Sequence, residues 1–299
     1  MSLRQSSLYG AFLALAAGTA FSFGSVTVRL SPHLDAVQYL LWRNFGLLPL
    51  LCLLAFARGT TPWRQMREGG WLSLAGALCM TAMAGLFIYA MKTTTIANAL
   101  LFSSAAPLMG AVLARVFLKE KILAGTWIGI GIGVVGLIIM TWGELGAGDM
   151  VGNIAALGTG LCYGVYSLIA RLGRNRDMSG VVVGWAVLTV ITSSLILWLT
   201  HSTVMTPMAE NAAAMLHGAA FIGGGMILLN AAARLVGASQ LTLLAQTETI
   251  LGPVWVLLLF SEVPRLTTII GGAVLMAGVL LSAFARVFTP NADAAAARA

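Results

Sequence analysis

Charge is scarce in this sequence. Lys and Arg number 17 and Asp and Glu 10 among 299 residues, so 9% of the chain is charged. An ordinary soluble domain carries about 25%, which excludes a water-soluble globular fold. Cysteine is nearly missing as well. Its three copies, Cys52, Cys79 and Cys162, all fall inside apolar runs. They read as small core residues, not as disulfides or metal ligands. No Walker phosphate loop, Gly-x-Ser-x-Gly or His-Glu-x-x-His occurs, so nothing here marks an enzyme or a cofactor site. Without a nucleotide loop, ATP hydrolysis by this chain cannot drive transport.

What the chain has in abundance is apolar sequence, at 59%. A helix needs roughly 20 apolar residues to cross a bilayer. Ten stretches qualify, at about 8–30, 34–57, 71–91, 95–117, 122–142, 152–170, 179–199, 212–233, 236–261 and 266–287. A β-barrel is excluded, because its strands are about 10 residues long and alternate in polarity. Helices satisfy their own backbone groups, which lipid cannot do. The expected fold is an all-α membrane protein with short loops, surrounded by lipid, and a disordered tail over 288–299. The first stretch resembles a signal peptide, with Arg4 as its charged start. Its internal counterpart at 152–170 cannot be cleaved, so by symmetry it reads as a retained helix.

That symmetry is a duplication. Residues 10–145 recur at 152–287, shifted by 142 positions without a gap. Gly10, Gly18, Ser25, Arg29 and Asp35 return as Gly152, Gly160, Ser167, Arg171 and Asp177. Gly110, Glu120, Thr126, Gly129 and Gly136 return as Gly252, Glu262, Thr268, Gly271 and Gly278. The expected units are 8–145 and 150–287, five helices each. Five is odd, so the second unit enters the membrane upside down relative to the first. Inverted repeats of this kind place a transport site between the halves and expose it to each side in turn.

The net charge of +7 would fit nucleic acid, but its placement does not. Numbering loops alternately, thirteen basic residues collect on one side: Arg4, Arg58, Arg64, Arg67, Arg115, Lys119, Lys121, Arg171, Arg174, Arg176, Arg234, Arg286 and Arg298. The other side has Arg29, Lys92 and Arg265. By the positive-inside rule both termini are expected in the cytoplasm.

Two ionisable residues sit deep in spans: Arg43 in the second and Glu248 in the ninth. Each costs at least ~2.5–3.5 kcal/mol at mid-membrane, so each should face a cavity or a partner. One reading gives a site for a zwitterion, Arg43 meeting a carboxylate and Glu248 an ammonium or a coupling proton. The other has them pair with each other or with carbonyls and merely hold the bundle. Gln246, Thr247, Glu248 and Thr249 crowd polar groups before Pro253, and Asn98, Ser103 and Ser104 do so before Pro107. Each proline frees a carbonyl one turn back, and broken partner helices point to a transport site. Candidate hinges are Pro107, Pro253 and, within a triple glycine, Gly224.

Aromatics supply the apolar wall of a pocket. Tyr39, Trp42, Tyr89, Tyr163 and Trp185 are candidates, and Trp185 occupies the position equivalent to Arg43. His217 could carry a proton, but its place near a span end favours an interfacial role. Gly125, Gly129 and Gly133 make a small-residue face suited to helix packing. Gly146-Ala147-Gly148-Asp149 matches the Gly-x-Gly-Asp of intramembrane aspartyl proteases, yet it falls in a loop with no second intramembrane aspartate.

These features resemble the drug/metabolite transporter superfamily, specifically its ten-helix EamA-like branch. Three places carry the likeness: Tyr39-Leu40-Leu41-Trp42-Arg43-Asn44, the stretch from Ala97 through Pro107 to Phe117-Leu118-Lys119-Glu120, and Pro253 to Phe260-Ser261-Glu262. Within the branch the chain is most similar to YddG-type amino-acid exporters of bacterial inner membranes. The resemblance implies efflux of amino acids and related metabolites by alternating access, by a monomer without cofactor. Efflux of small cationic or aromatic drugs is the alternative that Glu248 and the aromatics would serve. A membrane enzyme or assembly partner is disfavoured by the lack of paired catalytic groups and of extramembrane domains.

Overall fold

A computed structural model describes residues 3–119, 122–144, 150–173, 178–204, 206–236, 241 and 244–287. The 288–299 tail and the Gly146–Asp149 motif lie outside them. The elements are helices throughout: α1 (Leu3–Arg29), α2 (Ala36–Ala57), α3 (Pro62–Thr93), α4 (Ile96–Ser103), α5 (Ala106–Phe117), α6 (Ala124–Glu144), α7 (Met150–Leu172), α8 (Gly180–Leu199), α9 (Met208–Leu216), a π-helical turn (His217–Gly223), α10 (Gly224–Ala232), α11 (Thr247–Phe260) and α12 (Leu266–Val287).

Nine of the ten expected spans are long and apolar enough to cross a membrane among the described residues. The ninth run includes residues outside those described, and within it α11 covers Thr247–Phe260. The third helix starts earlier than its apolar run, at Pro62, and kinks at Gly70 (φ 60°, ψ −149°). That left-handed backbone favours glycine. At the start of α2 the Asp35 side chain accepts from the Val37 and Gln38 amides at 2.8 Å, while the Gln38 side chain accepts from the Asp35 amide at 2.9 Å. This capping box fixes where the helix begins.

Packing follows the duplication. Helix α1 lies against α10 and α11, and its equivalent α7 lies against α3, α4 and α5. Helix α2 lies against α9 and the π turn, and its equivalent α8 lies against α3. Two pairs of equivalent helices also meet directly, α2 with α8 and α6 with α12, and α11 lies against α4. Each half therefore finds much of its packing in the other.

Glycine permits the closest of these contacts. A methyl at Gly136 would lie 2.6 Å from the Gly271 carbonyl oxygen, and one at Gly271 would lie 2.7 Å from that of Gly136. Gly129 and Gly278 oppose each other in the same way, both at 2.5 Å. The backbones of α6 and α12 thus touch along a small-residue seam, which is the packing use expected of Gly129 and Gly133. Gly46 and Gly218 do likewise where α2 crosses the π turn, against the backbone of Met215 and of Arg43.

One end of the bundle is tied by charge. Arg29 Nε donates to Glu262 Oε2 at 2.7 Å, and its other nitrogens donate to the Met91 and Thr94 carbonyls at 3.3 and 3.2 Å. Glu262 Oε1 accepts from the Ile96 amide at 2.8 Å, capping α4. Lys92 Nζ donates to the Ser31 carbonyl. Four helix ends (α1, α3, α4 and α11) are joined here. Anionic Glu262 also suits the positive N-terminus of α4.

Three outcomes are expected. Gly136→Leu should abolish recovery of monodisperse protein in detergent. Gly131→Ala, where nothing lies within 4 Å, should leave yield and melting temperature unchanged or slightly raised, because Ala is ~1 kcal/mol better than Gly in a helix. Glu262→Gln should lower stability by about 2 kcal/mol in a thermal melt, the scale of losing charge-assisted hydrogen bonds.

Candidate functional site

Between the halves lies a cavity of about 360 Å³. Six pairs of its lining residues stand 142 positions apart: Phe21 and Tyr163, Phe87 and Leu229, Ser103 and Ala245, Ser104 and Gln246, Ala106 and Glu248, Pro107 and Thr249. The cavity takes equivalent positions from both copies, and what differs between them is chemistry. The first copy offers two phenyl rings, two hydroxyls, an alanine and a proline. The second offers a phenol, an amide, a carboxylate and a hydroxyl, with Leu229 and Ala245 apolar.

Two helix breaks supply the polar wall. Helix α4 ends at Ser103, with the Ser104 amide bonded to the Leu100 and Leu101 carbonyls at 3.0 and 3.1 Å. Helix α5 begins at Ala106, with Pro107 in its first turn. In the second copy Gln246 forms the turn before α11, and the Thr249 amide bonds its carbonyl at 3.0 Å. Ser104 and Gln246 are equivalent positions, although Pro107 and Pro253 are not. Pro253 lies inside an unbroken α11, so the break sits nearly two turns ahead of it.

Glu248 occupies the first turn of α11, where a helix N-terminus favours negative charge. It is partly buried, and no cationic side chain among the described residues pairs with it. Beside it the Thr249 hydroxyl donates to Gln246 Oε1 at 3.1 Å. Ser103 donates to the Ala99 carbonyl at 2.6 Å. The cavity can accept hydrogen bonds from a cationic group while its rings cover apolar surface.

Arg43 lies elsewhere. It does not line the cavity and forms no ion pair with Glu248. It is 2% exposed, with its guanidinium carbon 5.5 Å from the Trp185 ring centroid. These two equivalent residues are stacked on each other where α2 meets α8. One turn earlier, buried Tyr39 places its hydroxyl 2.8 Å from Thr27 Oγ1 and 2.7 Å from His217 Nδ1. His217 is 3% exposed, not interfacial. Helix α9 starts at Met208, earlier than the apolar run, which sets His217 ~14 Å from that end. The π turn that His217 opens is a feature frequent at functional sites.

Of the residues singled out from sequence, Ser103, Tyr163, Gln246, Glu248, Thr249 and Pro107 meet in the cavity. Tyr39, Arg43 and Trp185 gather at the α2–α8 contact. Trp42 stacks obliquely on Phe45 with ring centroids 5.8 Å apart. Tyr89 is exposed, and Asn98 is consumed by packing: its amide donates to Thr94 Oγ1 at 3.4 Å and its oxygen accepts from Thr268 at 2.8 Å. Gly224 follows the π turn in open space. Phe21, Phe87 and Leu229 were not legible beforehand. Phe21 had one usable signal, as the equivalent of Tyr163.

Comparison with known proteins agrees with this architecture. The EamA-like transporter family matches twice, at residues 8–142 and 150–284. An uncharacterized transporter of Helicobacter pylori (strain ATCC 700392 / 26695) is 27% identical over 141 residues, covering 46% of this chain and 47% of that protein. Its counterpart in Helicobacter pylori (strain J99 / ATCC 700824) is 24% identical over 62% of each. The chain thus spans about half to two-thirds of the length of these bacterial relatives. Solute carrier family 35 member G1 of Homo sapiens is 24% identical, over 88% of this chain and 75% of that one. A crystal structure at 17% identity superposes with a TM-score of 0.62, covering 91% of this chain and 96% of the other, and shares the fold. With two matched segments that together span most of its length, the chain belongs to the EamA-like transporter family and is a multi-pass membrane protein.

Proposed function

We propose that this protein exports amino acids and related amine-bearing metabolites across a bacterial inner membrane by alternating access. The two copies act as inverted halves with both termini in the cytoplasm, and the cavity between them holds the substrate. The observation that carries this reading is Glu248. It is a carboxylate on the wall of a cavity built from equivalent positions of both halves, without a cationic partner among the described residues. A carboxylate kept at such depth costs several kcal/mol unless it meets a cation. A substrate ammonium, or a coupling proton, would meet it there. The reciprocal helix contacts and the paired cavity lining support halves that rock about a shared centre.

A second reading has its own observation. Phe21, Phe87 and Tyr163 line the same cavity, and aromatic faces with one carboxylate also suit lipophilic organic cations. Flux in proteoliposomes separates the two. The amino-acid reading expects saturable flux of small amino acids and weak flux of lipophilic cations, and the drug reading expects the reverse.

Glu248→Gln should insert and melt like the parent while lowering amine-substrate flux at least tenfold, the equivalent of about 1.4 kcal/mol. Unchanged flux at every pH, with and without a pH gradient, would remove Glu248 from both substrate binding and coupling.

A further inference from the structure

The α2–α8 contact carries an imbalance of donors. Arg43 Nε and Nη2 are buried without a hydrogen-bond acceptor among the described residues, and so is Trp185 Nε1. The guanidinium and the indole belong to equivalent positions of the two copies and are stacked within 5.5 Å. Buried polar groups in proteins nearly always have partners. A buried charge with neither counter-ion nor acceptor is costlier still. A guanidinium cannot escape that cost by losing its proton. The local requirement is therefore for negative charge and for acceptor lone pairs.

The nearby polar groups do not meet it. The Tyr39 hydroxyl is held between Thr27 and His217, and Asn44 directs its amide to the Leu40 carbonyl at 2.8 Å, while its Oδ1 is buried without a hydrogen bond to Arg43 or to any other described donor. Glu248 faces the separate cavity. We propose that Arg43 and Trp185 form a binding site for a compact monovalent anion, either a halide ion or a carboxylate group, distinct from the Glu248 cavity. One unit of positive charge matches one negative charge. Arg43 and Trp185 are 2% and 4% exposed, which favours a small ion over a bulky one. Because the donors come from α2 and α8, a bound anion bridges the two copies, and its affinity depends on how they sit against each other.

Equilibrium binding tests this without any transport assay. The intact protein in detergent is titrated with sodium bromide or sodium acetate, with ionic strength held constant by the bulky sulfonate of a buffer. Melting temperature and tryptophan fluorescence are followed. The parent should show a saturable rise in melting temperature with one of the two anions, and which anion acts tells a halide site from a carboxylate site. Arg43→Gln should lose the response. Trp185→Phe keeps the ring but not the N–H, and should weaken apparent affinity several-fold. If Arg43→Gln does not fold, Trp185→Phe decides alone. The proposal is overturned by a parent that responds to neither anion, by a response that survives Arg43→Gln, or by unchanged affinity in Trp185→Phe. Absence of amino-acid flux would count against the exporter reading and leave this result standing.

Discussion

A polar group carried into a membrane must find its partner inside the protein, because lipid offers none. Most of the intramembrane polar residues here obey that constraint through distant parts of the chain. Asn98 is bonded to Thr268, 170 residues away. Ser25 donates to the Gly252 carbonyl at 3.2 Å, and Trp255 donates to Ser22 at 2.9 Å. Arg29 spends its guanidinium on Glu262 and two carbonyls. Apart from the two Arg29–carbonyl bonds, these bind helices of one copy to helices of the other. Against that background Glu248 and Arg43 are ionisable residues deep in spans that no ion pair among the described residues completes. The same constraint that builds the bundle thus singles out the positions where something other than the protein must supply a partner.

Duplication explains where those positions lie. When two copies pack through their equivalent elements, the shared centre receives the same position twice. Ser104 and Gln246 do this at the cavity, and Arg43 and Trp185 do it at the α2–α8 contact. A strictly symmetric centre would present every charge in duplicate, and two like charges a few ångström apart in a low-dielectric interior repel by several kcal/mol. Divergence removes that penalty. Glu248 opposes Ala106, and Arg43 opposes an aromatic face that attracts cations. The glycine seam of α6 and α12 carries no charge and stays symmetric in kind, with Gly129 and Gly136 answered by Gly278 and Gly271.

Much of this was legible in the sequence, and the reasons differ by feature. Span lengths follow from bilayer thickness, so among the described residues nine of the apolar runs fall in helices long enough to cross. The duplication was legible because Gly, Arg, Asp and Glu are too rare in apolar sequence to coincide by chance at one fixed shift. Glu248 was legible from its cost. Partnerships were not. Nothing local indicates that Asn98 is spent on Thr268, or that Tyr39 reaches His217, 178 residues away. The break in the second copy was misread for a related reason. Proline implies a lost hydrogen bond, but α11 continues through Pro253 and breaks instead at Gln246, where the repeat register places it.

That register has a mechanical consequence on the exporter reading. A helix broken mid-span has free backbone groups and a flexible joint, so its two parts can reorient without melting a full turn of hydrogen bonds. Here the joints fall at Ser104 and Gln246, and both line the cavity. Reorientation of one segment therefore reshapes the wall that holds Glu248. Movement at one break alters the lining contributed by its equivalent, because α4 and α11 are in contact. Rocking need not deform the glycine seam of α6 and α12, which is too tightly packed to shear cheaply. On that reading the seam would serve as the fixed axle, and the broken pair as the part that moves.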